Sequence, residues 1–270
     1  MQVRVSGADL NVDITGRGEA ILLIHGLGAD LNLWNDVVPQ LSKKWQVIRY
    51  DLRGAGNSSS GSNQSLSMDL WVRDLESLID HLGLEEFSLV GWSMGGMISI
   101  QFAANNPRRT KSMVLVGSTA RLQPDALEFF RKRAELASTI GMSALIERTF
   151  HLSLDAFAPL SRKDHPEIVG KYKKMLENYD KDSYASACRV LVNTDLTSKL
   201  NEIQTPTLII VGQFDPRTPL TDSQAMCMTI SNSWMKILPD CGHFYPLEQP
   251  ERLSQEIHRF LTFVNATKSI

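Results

Sequence analysis

Ser93 stands in VGWSMGG (residues 90–96), directly after the apolar run FSLV and directly before MISIQFAANN, whose apolar residues recur at helical spacing. A strand that becomes a helix within about one residue forces strained backbone angles on the turn, and glycines at 91 and 95 let the two segments approach without Cβ clashes. The pattern G-x-S-x-G thus lifts one hydroxyl to the end of a strand. A serine hydroxyl is a weak nucleophile alone; it needs a base within hydrogen-bond reach and a carboxylate to fix that base's tautomer. Asp215, after TLIIVGQF, and His243, in the loop after WMKILP, supply those residue types at later strand ends. The set is suited to acyl transfer.

These residues can meet only if their strands lie side by side. AILLIHG, WQVIRYD, FSLVGW, SMVLVGS and TLIIVGQFD are continuous rather than alternating apolar runs, the habit of parallel strands covered on both faces. Residues 3–15 alternate instead, broken at SGAD and closed by TGRG, as a hairpin would be. Between the runs lie the helical patterns LNLWNDVVPQLSKK, SMDLWVRDLESLIDHLG and MISIQFAANNP. The alternation predicts an α/β fold with a mostly parallel, doubly wound sheet and right-handed crossovers.

The alternation stops near Thr119. Up to about Gln204, DALEFFRKRAELAST, MSALIERTF, IVGKYKKMLENY and SYASACRVLVNT all read as amphipathic helix. Strand and helix then resume through WMKILPDCGH to a closing helix, PERLSQEIHRFLTFV. We therefore expect a helical cap at 120–204 inserted into a core of 1–119 and 205–270.

Ligands of open α/β sheets bind outside the carboxyl ends of the strands, where Ser93, Asp215, His243 and the turn His25-Gly26-Leu27-Gly28 all fall. The amides of Met94, at the positive end of a helix, and Leu27, in the glycine-bearing turn, are the expected oxyanion donors. His25 is placed either to orient that turn or to touch substrate. Trp92 and Phe214, beside the reactive residues, and Phe244 and Tyr245, after the base, stand where they either line the pocket or pack behind it. Asp125, after the SMVLVG strand, is a reserve acid. His81, His151, His165 and His258 fall in or beside helical patterns, as packing or surface residues do. Arg131-Lys132-Arg133 reads as a solvated helix face, or as a group that meets an acidic substrate. Cys241 reads as a packed thiol and Glu248 as the start of the last helix.

The chain has 270 residues, a net charge of −2 and a pI near 6.3, so no basic field exists to hold a phosphate backbone, and nucleic acid is not an expected partner. Three cysteines, Cys188, Cys227 and Cys241, lack the paired spacings of a zinc site or disulfide framework. The opening MQVRVSGADLNVDITGRG has no apolar signal core, and no run approaches the roughly 18 residues needed to cross a bilayer. A soluble cytoplasmic protein with no membrane partner is expected.

HGLG, YDLRGAGNSS, VGWSMGG, GQFDPRTP and CGHFYPLEQPERL together resemble the α/β-hydrolase superfamily along nearly the whole chain, cap excepted. Ser, then Asp, then His is the chain order of that superfamily's triad. The closer likeness is to the 3-oxoadipate enol-lactonase group and related bacterial carboxylesterases. It rests on GLGADLNLWNDVVPQLSKKWQVIRYDLRG, on GSTARL and, within the cap, on SYASACRVLVNTDLTSKLNEIQTPTLIIVG. The resemblance implies a Ser93–His243–Asp215 hydrolase acting on a small carboxylic ester or lactone without metal or organic cofactor. An enol-lactone of this kind carries a carboxylate and calls for an arginine facing the pocket; Arg121, Arg133 and Arg189 are candidates by residue type. Serine at 93 separates the chain from haloalkane dehalogenases and epoxide hydrolases, which use aspartate there. Carbon–carbon bond hydrolases, cofactor-free perhydrolases and triad-bearing small-molecule receptors resemble it too, and stay open as alternatives.

Overall fold

AILLI, FSLVGW and TLIIVG are buried at every position, as strands covered on both faces must be. They are inner members of one eight-stranded sheet in the computed structural model, which describes residues 1–61 and 65–268. Its strands are β1 (Gln2–Val5), β2 (Ala8–Thr15), β3 (Ala20–Ile24), β4 (Gln46–Tyr50), β5 (Phe87–Trp92), β6 (Thr110–Val116), β7 (Thr207–Gly212) and β8 (Ser233–Leu238). Their spatial order is β1-β2-β4-β3-β5-β6-β7-β8. The hairpin β1–β2 adds to β4 antiparallel, and every pairing from β4 across to β8 is parallel. A parallel core with an antiparallel edge matches the expected sheet.

The helices are α1 (Val38–Leu41), α2 (Met68–His81), α3 (Met94–Asn105), α4 (Pro124–Thr149), α5 (Pro159–Asp164), α6 (Pro166–Glu177), α7 (Lys181–Val192), α8 (Leu220–Thr229), α9 (Tyr245–Glu248) and α10 (Pro250–Lys268). One expected helix is broken. LNLWNDVVPQLSKK forms a 3₁₀ turn at Leu31–Trp34, capped by Asp30, and then the four-residue α1. Pro39 lacks the N–H that a continuous helix through this segment would need, and the break lets Leu33, Trp34 and Leu41 all reach the core. Conversely, DALEFFRKRAELAST and MSALIERTF lie along one element, α4, interrupted at Gly141, whose φ of 77° and ψ of 171° leave the helical region.

Helices α4 to α7 occupy the chain between β6 and β7. The ends of that segment are drawn together by the Leu196 amide, which donates to the Ala120 carbonyl at 2.9 Å, and by a bridge between Arg121 and Asp195. No helix among the described residues is long and apolar enough to cross a membrane.

Candidate active site

Ser93 lies between β5 and α3 with φ 53° and ψ −117°, a left-handed conformation that costs a non-glycine residue of order 1–3 kcal/mol and persists only where its surroundings enforce it. They do so here through the Ser93 amide, which donates to the Val116 carbonyl at 2.9 Å, and the Ser118 hydroxyl, which donates to the Ser93 carbonyl at 2.8 Å. The flanking glycines answer to close approach. A Cβ at Gly91 would strike the Gly95 carbonyl, and one at Gly95 would strike the Ile24 carbonyl.

His243 Nε2 is 3.2 Å from Ser93 Oγ, and His243 Nδ1 is 2.8 Å from Asp215 Oδ2. Asp215 follows β7 and His243 follows β8, neighbouring parallel strands whose ends deliver both side chains to one place. Five donors meet the Asp215 carboxylate: the Arg217 and Thr218 amides on Oδ1, and His243 Nδ1, the Thr218 hydroxyl and the Tyr245 hydroxyl on Oδ2. Burial pushes the Asp215 pKa up, but the facing imidazole and the hydrogen bonds from His243 and Thr218 outweigh it and hold the carboxyl below its ordinary range. An ionised Asp215 orients the imidazole with its Nδ1–H inward, leaving Nε2 to accept the Ser93 proton. The imidazole is further fixed through its backbone: the Trp92 indole donates to the His243 carbonyl at 2.7 Å, and the His243 amide donates to the Ala156 carbonyl at 2.6 Å.

Met94 opens α3, so its amide has no intrahelical acceptor, and the Leu27 amide donates to no acceptor among the described residues. Both residues line the cavity that Ser93 and His243 share. The turn carrying Leu27 comes close to the serine because a Cβ at Gly26 would lie only 2.9 Å from Ser93 Cβ. His25 holds the turn from behind. It is fully buried, its Nε2 accepts the Leu52 amide at 2.9 Å, and its Nδ1–H therefore donates to the Gly26 carbonyl at 2.8 Å. Burial pushes its pKa down, so the ring is neutral and structural. It does not line the cavity.

The cavity is small, about 60 Å³, with an apolar wall of Trp92, Phe130, Tyr172 and Phe244. Two guanidinium groups share it with Ser93: Arg133 and Arg217. Arg133 is 3% exposed, so the run at 131–133 is not a uniformly solvated face. Its Nε donates to Tyr184 Oη at 2.7 Å and an Nη donates to Thr149 Oγ1 at 3.1 Å. Arg217 donates to the Leu152 carbonyl at 2.6 Å and stacks 4.4 Å over the Phe129 ring. Neither has a carboxylate in ion-pair contact among the described residues.

Other expectations are corrected. Tyr245 is turned away from the cavity and bonds Asp215. Arg189 is absent from the lining because it lies on the opposite face of α7 from the buried Tyr184, Ala187, Cys188 and Leu191, where it donates to Ser138 Oγ at 2.9 Å. Arg121 is exposed, 4.0 Å from Asp195. Asp125 is exposed in the first turn of α4, and Phe214 is 44% exposed rather than packed. Glu248 ends α9 instead of starting α10. As expected of surface and packing residues, His81, His151 and His165 are exposed and His258 accepts from the Trp45 indole at 3.2 Å, and Cys241 is the expected buried free thiol, whose pKa burial raises. Among the described residues, no group of three or more His, Cys, Asp or Glu side chains could hold a metal ion.

A family model described as the alpha/beta hydrolase fold matches residues 19–250. 3-Oxoadipate enol-lactonase 1 of Acinetobacter baylyi is 30% identical over 257 residues, covering 94% of each chain. Among solved structures, an enol-lactonase from Burkholderia xenovorans superposes with a TM-score of 0.90 at 28% identity, over 97% of this chain and 100% of that one. A thermophilic esterase from Thermogutta terrifontis, solved with malate bound, gives a TM-score of 0.90 at 31% identity, over 98% and 99%.

Proposed function

The chain belongs to the alpha/beta hydrolase family, and we propose that within it the protein is a serine hydrolase that cleaves carboxylic esters or lactones through an acyl-enzyme. The observation that carries this reading is the unbroken line from Asp215 through His243 to Ser93 at the mouth of an apolar cavity. Ser93 Oγ attacks the carbonyl carbon as His243 Nε2 takes its proton. The tetrahedral oxyanion is held by the amides of Leu27 and Met94, and His243 returns the proton to the departing oxygen. Water, deprotonated by the same imidazole, then releases the acid. Residues 120–204 serve as the cap over this reaction, and 1–119 with 205–270 as the hydrolase core.

The substrate we infer is small and acidic. Two guanidinium groups without carboxylate partners raise the affinity of the cavity for an anion, and Arg133 and Arg217 are so placed. Relatives that are enol-lactonases, and one solved with malate bound, support the same direction. The test is hydrolysis of p-nitrophenyl esters beside an enol-lactone, with a serine-directed phosphonate and mass spectrometry to locate the label. Rapid multiple turnover with the label on Ser93 is expected. No turnover and no label would overturn the reading and leave a small-molecule receptor on the same fold.

A further inference from the structure

Glu248, at the carboxyl end of α9, accepts hydrogen bonds from three backbone amides. Ala158 at 2.8 Å and Gly242 at 3.1 Å share Oε2, and Phe244 at 2.9 Å meets Oε1. Gly242 and Phe244 are the two neighbours of His243 in the chain; Ala158 belongs to the segment between β6 and β7, just before α5. The same junction is closed by the His243 amide, which donates to the Ala156 carbonyl. It is also tight, because a Cβ at Gly242 would strike the Ala156 carbonyl and lie 2.6 Å from the Ala158 nitrogen.

Burial disfavours a charged carboxylate here and pushes the Glu248 pKa up against the pull of the amides, one of which, from Phe244, lies at the start of α9. A glutamate that served only to begin α10 would need neither the burial nor the reach. What it supplies is an acceptor for amides of buried residues: Ala158 is 0% and Phe244 3% exposed, and a buried amide left without an acceptor is destabilising.

We propose that Glu248 is a positioning residue that fixes the backbone on both sides of His243 against residues 156–158, so that the Nε2 to Ser93 separation and the seating of the helical segment are set together. The inference rests on His243 acting as the base. An error of about 1 Å in the place of a base costs on the order of 10²-fold in rate. Phe244 is also part of the cavity wall, so the mark of a positioning role is a fall in kcat larger than any change in KM.

The test is Glu248→Gln, which keeps the shape but turns an NH₂ toward amide donors. With the fold confirmed by circular dichroism, kcat is expected to fall about 10- to 100-fold while KM changes less than about threefold. The downfield proton between His243 and Asp215 should broaden or shift in the variant's NMR spectrum. A raised KM with unchanged kcat would mean that Glu248 serves only the cap, and a lowered Tm with unchanged kcat and spectrum would mean that it serves only stability; either result overturns the proposal. Should the variant not fold, amide hydrogen exchange in the wild type decides. Ala158, Gly242 and Phe244 should be protected and exchange at a common rate, and exchange of Ala158 tenfold faster than the other two would overturn the coupling. A wild type that neither turns over nor labels would sink the hydrolase reading and leave the exchange result standing.

Discussion

Tyr245 donates its hydroxyl to Asp215 Oδ2 at 2.8 Å, the oxygen that also faces His243 Nδ1, and accepts the Gly212 amide at 2.7 Å. The ring therefore backs the relay, pinning the carboxylate to the end of β7. Tyr245→Phe leaves a buried amide unpaired and removes one donor from Asp215. A loss of about 1–3 kcal/mol in urea unfolding is expected, with a fall in kcat smaller than that of Asp215→Asn. Unchanged stability and rate would show the bond to be idle.

Asp215→Asn keeps the volume but allows the wrong imidazole tautomer, and kcat should drop by about 10⁴. The pH dependence of stability has a definite sign. The folded-state pKa of Asp215 is depressed, below the unfolded value of about 3.9, so its contribution is complete above the unfolded value and is lost as pH falls through the folded one. The stability gap between wild type and Asp215→Asn should be widest near neutrality and close in acid, as read by urea titrations at several pH values. A gap that widened in acid would contradict the assignment.

Arg217→Ala should raise KM for a monoester of a dicarboxylic acid about tenfold or more, the equivalent of one charged hydrogen bond, and leave a neutral ester of the same length within about threefold. Arg133→Lys, which retains charge but loses the planar fork, should do the same more weakly. Steady-state kinetics on the paired esters checks both. Equal effects on the two esters would remove the acidic-substrate reading.

The cavity beside Ser93 is only about 60 Å³ and is walled by the rings of Trp92, Phe130, Tyr172 and Phe244. Acetyl esters should accordingly outrun octanoyl esters by more than tenfold in kcat/KM unless the cap opens. A flat chain-length profile would show that it does.

Much of this arrangement is legible in the sequence because it is local. The elbow at Ser93 is written as an apolar strand, glycines and an apolar helix in sequence, and the strand end at Asp215 follows from a run that is buried throughout, whereas β8 before His243 is largely exposed. Which side chains face the cavity is not local. Arg131 and Lys132 point to solvent while Arg133 turns inward, a difference set by the helix rotation of about 100° per residue, and Arg189 fails for the same reason on α7. Arg217 sits in GQFDPRTP in plain view, but its inward turn depends on Leu152 and Phe129, far away in the chain. The carboxylate of Asp215 that Tyr245 meets and the Ala158 amide that Glu248 meets are likewise far away in the chain, and no spacing announces them.

The central claim is that the Ser93 hydroxyl forms the acyl bond, and the most direct measurement is kcat for p-nitrophenyl acetate in wild type and Ser93→Ala, with matching circular dichroism. A ratio of at least about 10⁴ is expected. A ratio within tenfold would place the chemistry elsewhere and contradict it.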